Sequence, residues 1–148
     1  MFSVFKRRQP AYPAEGSWSV LEGEHEGKPM FVRRNDSGKR LLGHVDYKFR
    51  IGVAIPLLEP RPDGLPTKDE MDVLLRIEDA VSEKLERGQV SLQVLSITTS
   101  GMRELIFYTR SPSIVPTALQ EIQAQFQSHR VQHYVEEDPN WAVYRQFA

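Results

Sequence analysis

The sequence predicts an α+β fold of ferredoxin-like topology: a βαββαβ antiparallel sheet with two helices on one face, an N-terminal β-hairpin before it and a short C-terminal helix after it. Three observations lead there. Apolar residues alternate from Tyr47 to Ile55, as in a strand. Two later stretches, 68–87 and 115–126, carry apolar residues at helical spacing. Between them lie two β-rich runs joined by the turn signal Ser100-Gly101. With both helices on one face, the other face is left to solvent, to the hairpin, to the terminal helix or to a partner, and function is expected there.

The elements follow in order. Residues 1–16 hold Pro10, Pro13 and Gly16 without apolar periodicity and read as a loose lead-in, which leaves one domain over 17–148. Trp18, Val20, Met30 and Val32 flank the turn-rich run from Gly23 to Lys28, a hairpin with a longer loop. In the next strand Tyr47, Phe49, Ile51, Val53 and Ile55 share one face, and Lys48, Arg50, Gly52 and Ala54 the other. Pro56, Pro60, Pro62, Gly64 and Pro66 then impose a stiff connection, longer than the usual ~4–6 residues.

Thr67-Lys68-Asp69-Glu70 fits a capping box, in which the hydroxyl and the carboxylate each satisfy a backbone amide. The helix it opens runs from Lys68 to Arg87 with Met71, Leu74, Ile77, Val81 and Leu85 on one face, and Gly88 ends it. Val90 to Thr98 and Met102 to Thr109 form the second hairpin. Val115, Leu119, Ile122 and Phe126 mark the second helix, with Pro116 tolerated in its first turn. Val131, His133 and Val135 alternate along a last strand. Asp138-Pro139 then supplies an N-cap and first-turn proline for a terminal helix bearing Trp141, Tyr144 and Phe147.

Composition narrows the function classes. The chain has 148 residues, enough for one core and too few for two typical domains. Its 19 Lys and Arg against 20 Asp and Glu provide no global field to attract nucleic acid or an anionic membrane. The absence of cysteine excludes disulfides, thiolate metal sites and a thiol nucleophile. No run resembles a signal peptide or a membrane span, so the expected location is cytoplasmic.

No motif commits the chain to catalysis. Glu136-Glu137-Asp138 near His129 and His133 has no specific metal spacing, and neighbouring strand residues point to opposite faces. His44 and Asp46 are too few ligands for a metal shell. There is no nucleophile elbow, dinucleotide fingerprint or phosphate loop, so neither cofactor nor metal is expected. The run Gly101 to Tyr108 lies where an RNA-recognition motif would fall but lacks its glycine and aromatic pattern, which argues against direct nucleic-acid binding. Arg50, Arg103, Tyr134 and Glu136, with Trp18 and Trp141 as lids or anchors, are the candidate binding residues. Arg103 has the structural alternative of anchoring the neighbouring strand or capping by a salt bridge.

Several blocks together, Trp18-Ser-Val, Glu22-Gly-Glu, Gly27-Lys-Pro, Tyr47-Lys-Phe-Arg-Ile-Gly-Val-Ala, Gly101-Met-Arg-Glu and Tyr134-Val-Glu-Glu-Asp-Pro-x-Trp141, resemble the bacterial domain of unknown function 695 family over about residues 17–147. That resemblance implies no reaction. Members are sometimes joined to a domain similar to the ribonuclease E inhibitor RraB, which implies a protein-binding regulator, with a partner in RNA turnover. The expectation is therefore a non-catalytic protein-interaction domain. The alternative is a small enzyme or ligand-binding domain with a pocket between the open sheet face, the proline-rich loop and the terminal helix. A homodimer that covers the open face or an edge is a further expectation.

Overall fold

The computed structural model describes residues 17–148; the lead-in expected at 1–16 lies outside them. The fold is α+β, with one six-stranded antiparallel sheet and three α-helices. The strands are β1 (Trp18–His25), β2 (Lys28–Asn35), β3 (Phe49–Pro56), β4 (Ser91–Thr99), β5 (Met102–Thr109) and β6 (Gln132–Glu137). The helices are α1 (Lys68–Glu86), α2 (Val115–Gln125) and α3 (Ala142–Arg145). Across the sheet the order is β1-β2-β4-β5-β3-β6, so β1 and β6 are the edges.

The N-terminal hairpin does not cover a sheet face. It lengthens the sheet, because β2 pairs antiparallel with β4 from Met30↔Thr99 to Arg34↔Leu95. Its loop is shorter than the sequence suggests: β1 runs to His25 and β2 restarts at Lys28. Glu26 and Gly27 make the turn with φ of 53° and 81°, the left-handed pair that matches strand twist in a two-residue hairpin. The register places Trp18 and Val20 opposite Asn35 and Arg33. Because opposed residues share a face, Trp18 and Val20 lie on one side of the sheet, and Met30 and Val32 on the other.

Two cores sandwich the sheet. On the helix side, Ile51, Val53, Leu105 and Phe107 meet Leu74, Ile77 and Val81 of α1 and Leu119 and Ile122 of α2, all buried. On the opposite side Val94, Ile106 and Tyr108 meet Leu41 and Tyr47 of the β2–β3 connection and Trp141 and Tyr144 of the C-terminus. The face expected to be open is therefore covered across its centre. Tyr47 also departs from its expected place beside Ile51. The strand begins only at Phe49, and Tyr47 sits in a turn whose hydroxyl donates to the Gln89 carbonyl at 2.7 Å.

The C-terminal cover is bonded as well as packed. Trp141 stacks on Tyr108 at 4.1 Å and meets Tyr144 edge-on at 5.7 Å. Trp141 Nε1 donates to the Tyr47 carbonyl at 2.8 Å, and the Tyr144 hydroxyl to the Asn35 carbonyl at 2.8 Å. Aromatic bodies thus fill the space while their polar tips find partners, as burial of such residues requires. Asp138 caps α3 from a distance: its carboxylate accepts from the amides of Ala142 and Val143, while Trp141 takes the left-handed conformation. The helix starts three residues later than Asp138-Pro139 suggests because Trp141 must first turn inward.

Candidate functional site

The helices cover their face from β4 to β6. On the hairpin side of the same face, α1 and the proline-rich loop stop short, and a groove of about 330 Å³ remains. Its apolar wall comes from Val20, Phe31, Leu65 and Met71, and Arg33 and Arg61 reach it from the strand and the loop. Val20 is 65% exposed and Phe31 38%. Exposed apolar side chains gathered in one concavity are unusual on a monomer and mark interaction surfaces.

Beneath the groove lies a buried charge cluster. Arg103 donates to Glu78 Oε1 through Nη2 at 2.6 Å and Nε at 3.1 Å, and to Thr98 Oγ1 at 2.6 Å. Glu78 also accepts from Gln93 Nε2 at 2.8 Å and Ser96 Oγ at 3.4 Å. A buried carboxylate with this many donors is satisfied, as its desolvation demands. Arg33 stands above it at 3.8 Å, beyond hydrogen-bond length, and stacks over the Trp18 ring at 4.6 Å. The Arg33 side chain stays 42% exposed.

A second cluster ties down the start of the proline-rich loop. Thr67 Oγ1 accepts from the Glu70 amide at 3.2 Å, as a cap should, but the Glu70 carboxylate does not fold back on the helix start. It accepts instead from the amides of Leu58 and Glu59 at 2.6 and 3.2 Å and meets His129 Nε2 at 2.7 Å. Burial pushes the Glu70 carboxyl up, but those amides and the imidazole outweigh it and hold it below the usual range. The Ser128 hydroxyl lies 2.9 Å from His129 Nδ1, so serine, histidine and glutamate form a chain. The Leu58 and Glu59 amides beside this chain are both taken by Glu70.

The predicted site residues fall into two groups on opposite faces. Arg50, Tyr134 and Glu136 converge on the C-terminal side, where Arg50 donates to Asp138 at 2.8 Å and Glu136 at 3.3 Å and lies 5.7 Å from the Tyr134 ring centroid. Tyr134 crosses Gly52 so closely that a Cβ there would fall 2.1 Å from the ring, and its hydroxyl donates to Glu104 at 3.1 Å. Asp138 is held below the usual carboxylate range, because hydrogen bonds from Tyr108, Ala142 and Arg50 overcome its burial. Arg103 is on the helix side, where it bonds Thr98 of the neighbouring strand and forms a salt bridge to Glu78 of α1, so it does not join Arg50. Trp18 lies beside the groove under Arg33. Trp141 is fully buried in the second core, where no ligand reaches it.

The family model for a family of unknown function, DUF695, matches residues 16–148. The chain belongs to that family. No curated protein and no solved structure matches it. For this DUF695 member the site must therefore be read from its own residues. Two features of the sequence mark this buried pair, Arg103 among the candidates above and Glu78 outside them. Glu78 falls on the apolar stripe of α1 between Ile77 and Val81, and Arg103 shares a strand face with Leu105 and Phe107. A charge in line with core positions implies a buried partner. Phe31 and Arg33, on one face of β2, were missed because only the hairpin register shows that no helix covers them.

Among the described residues no group of three or more His, Asp or Glu side chains is placed to hold a metal ion. No helix there is long and apolar enough to cross a membrane.

Proposed function

We propose that the chain is a non-catalytic interaction domain whose recognition surface is the groove on the helix side of the hairpin. One observation carries this reading: half-exposed Phe31, exposed Val20 and the Arg33 guanidinium share a concavity that no element of the described chain covers. The polar clusters nearby are closed on themselves, which supports binding over chemistry. For residues 49–137 we infer a ferredoxin-like arrangement. The element sequence β3-α1-β4-β5-α2-β6 and the spatial order β4-β5-β3-β6 support it. In that reading the hairpin is an addition to the common unit, and the groove exists because of it.

The test is capture from a bacterial extract by the immobilised chain, with and without ribonuclease, comparing the wild type with a folded Val20→Ser/Phe31→Ser variant. The expected result is a ribonuclease-resistant protein held by the wild type and lost from the variant; a protein of the RNA-degradation machinery would fit the expectation carried by the family resemblance. Equal capture by both chains, or none by either, overturns the reading. Recovery of a second copy of this chain in the same experiment would assign the groove to a homodimer.

A further inference from the structure

The groove has a direction. On this side of the hairpin Val20 of β1 lies opposite Arg33 of β2, with Phe31 two residues along from Arg33, and all three line the groove. One end thus pairs a guanidinium with an apolar neighbour, and the other is apolar at Phe31. The charges do not cancel at the first end. Glu78 is a single carboxylate shared by Arg103, at 2.6 Å, and Arg33, at 3.8 Å, so the trio keeps one positive charge. Arg61 adds none, since Asp63 neutralises it at 2.8 Å.

We propose, resting on the groove as the recognition surface, that it takes an extended acidic peptide segment of a partner protein. The segment sets an apolar side chain against Val20, Phe31 and Met71 and a carboxylate on Arg33. Arg33 and Phe31 are two residues apart on β2, about 7 Å in an extended chain. The matching spacing in a bound strand is therefore apolar-x-Asp or apolar-x-Glu. The Arg33 guanidinium lies over the Trp18 ring and, beyond hydrogen-bond length from Glu78, can meet a carboxylate with two hydrogen bonds. One surplus charge suits one carboxylate; a nucleic-acid backbone, with its row of phosphates, needs several cations.

The experiment is selection from a random peptide display library on the folded chain, followed by affinity measurements on the enriched peptides. The expected enrichment is apolar-x-Asp/Glu. Arg33→Gln should weaken binding about tenfold, an amide in place of the peptide carboxylate should do the same, and the two changes together should cost little more than either alone. Val20→Ser should also weaken binding, and an unchanged thermal midpoint shows that each variant still folds. Enrichment of basic or neutral peptides that remain sensitive to Val20→Ser overturns the acidic specificity and leaves the groove reading standing. Peptides that bind the Val20→Ser and Phe31→Ser variants as well as the wild type overturn the groove reading itself. No enriched peptide, or saturable binding of decanoate alone, overturns the peptide inference.

Discussion

The two ends of the sheet face different fates. Around Trp141 the sheet side opposite the helices is closed by stacked rings and by hydrogen bonds from the Trp141 and Tyr144 polar tips. Around Phe31, on the helix side, equally apolar residues stand half-exposed beside a guanidinium. The difference lies in chain length available for cover. The C-terminal segment crosses back over one face and is anchored there by Asp138. On the other face α1 and α2 are only wide enough for the strands they connect, so the added hairpin extends the sheet past them. Apolar residues that pack are a matter of stability; apolar residues that no element reaches are a matter of binding.

That contrast can be broken by mutation. Trp141→Ala should be the most damaging change, about 3–5 kcal/mol of stability lost on chemical denaturation, because it removes a fully buried ring from both Tyr108 and Tyr144. A loss below about 1 kcal/mol would mean that the cover is not part of the core.

Glu70→Gln should cost less, about 1–3 kcal/mol, by weakening the bonds to Leu58, Glu59 and His129. It also tests the acid side. The folded state holds the Glu70 and Asp138 carboxyls below their ordinary values of 4.5 and 3.8. Their contribution is therefore complete above those values and disappears as pH falls through the lower folded-state ones. Thermal midpoints of the wild type should drop below about pH 4.5, and Glu70→Gln should flatten part of that fall. An equally steep fall in the variant would move the acid sensitivity to other groups.

Val20→Ser should be the mildest for stability, within about 0.5 kcal/mol, since the side chain is 65% exposed. A substantially larger loss would show that the groove wall is structural, and the two ends of the sheet would then be alike.

The sequence made the elements legible because each has a local cause. The alternation at 49–55 requires a strand, Thr67 caps α1, and just past its end, where Arg87 has turned extended, Gly88 takes a left-handed φ of 70°. The turn at Ser100-Gly101 joins β4 to β5 as its residues demand. The site was less legible. Arg50, Tyr134 and Glu136 do meet, because β3 and β6 pair as Gly52↔Tyr134 and Arg50↔Glu136. Glu70 could be read only as a capping residue, since its partners at Leu58, Glu59 and His129 come from distant loops.

What the sequence determined by itself was thus the set of strands and helices, through periodicity, caps and turns acting over a few residues. Tertiary structure alone decided which faces are covered. It sent Tyr47 and Trp141 into a second core, set Arg50 and Arg103 on opposite sides of the sheet, and left Phe31 and Arg33 at the surface. The physical reason is that burial is a property of what packs against a residue, and here those partners arrive from 40 to more than 100 positions away: Gln89 for Tyr47, Tyr47 for Trp141, Asn35 for Tyr144.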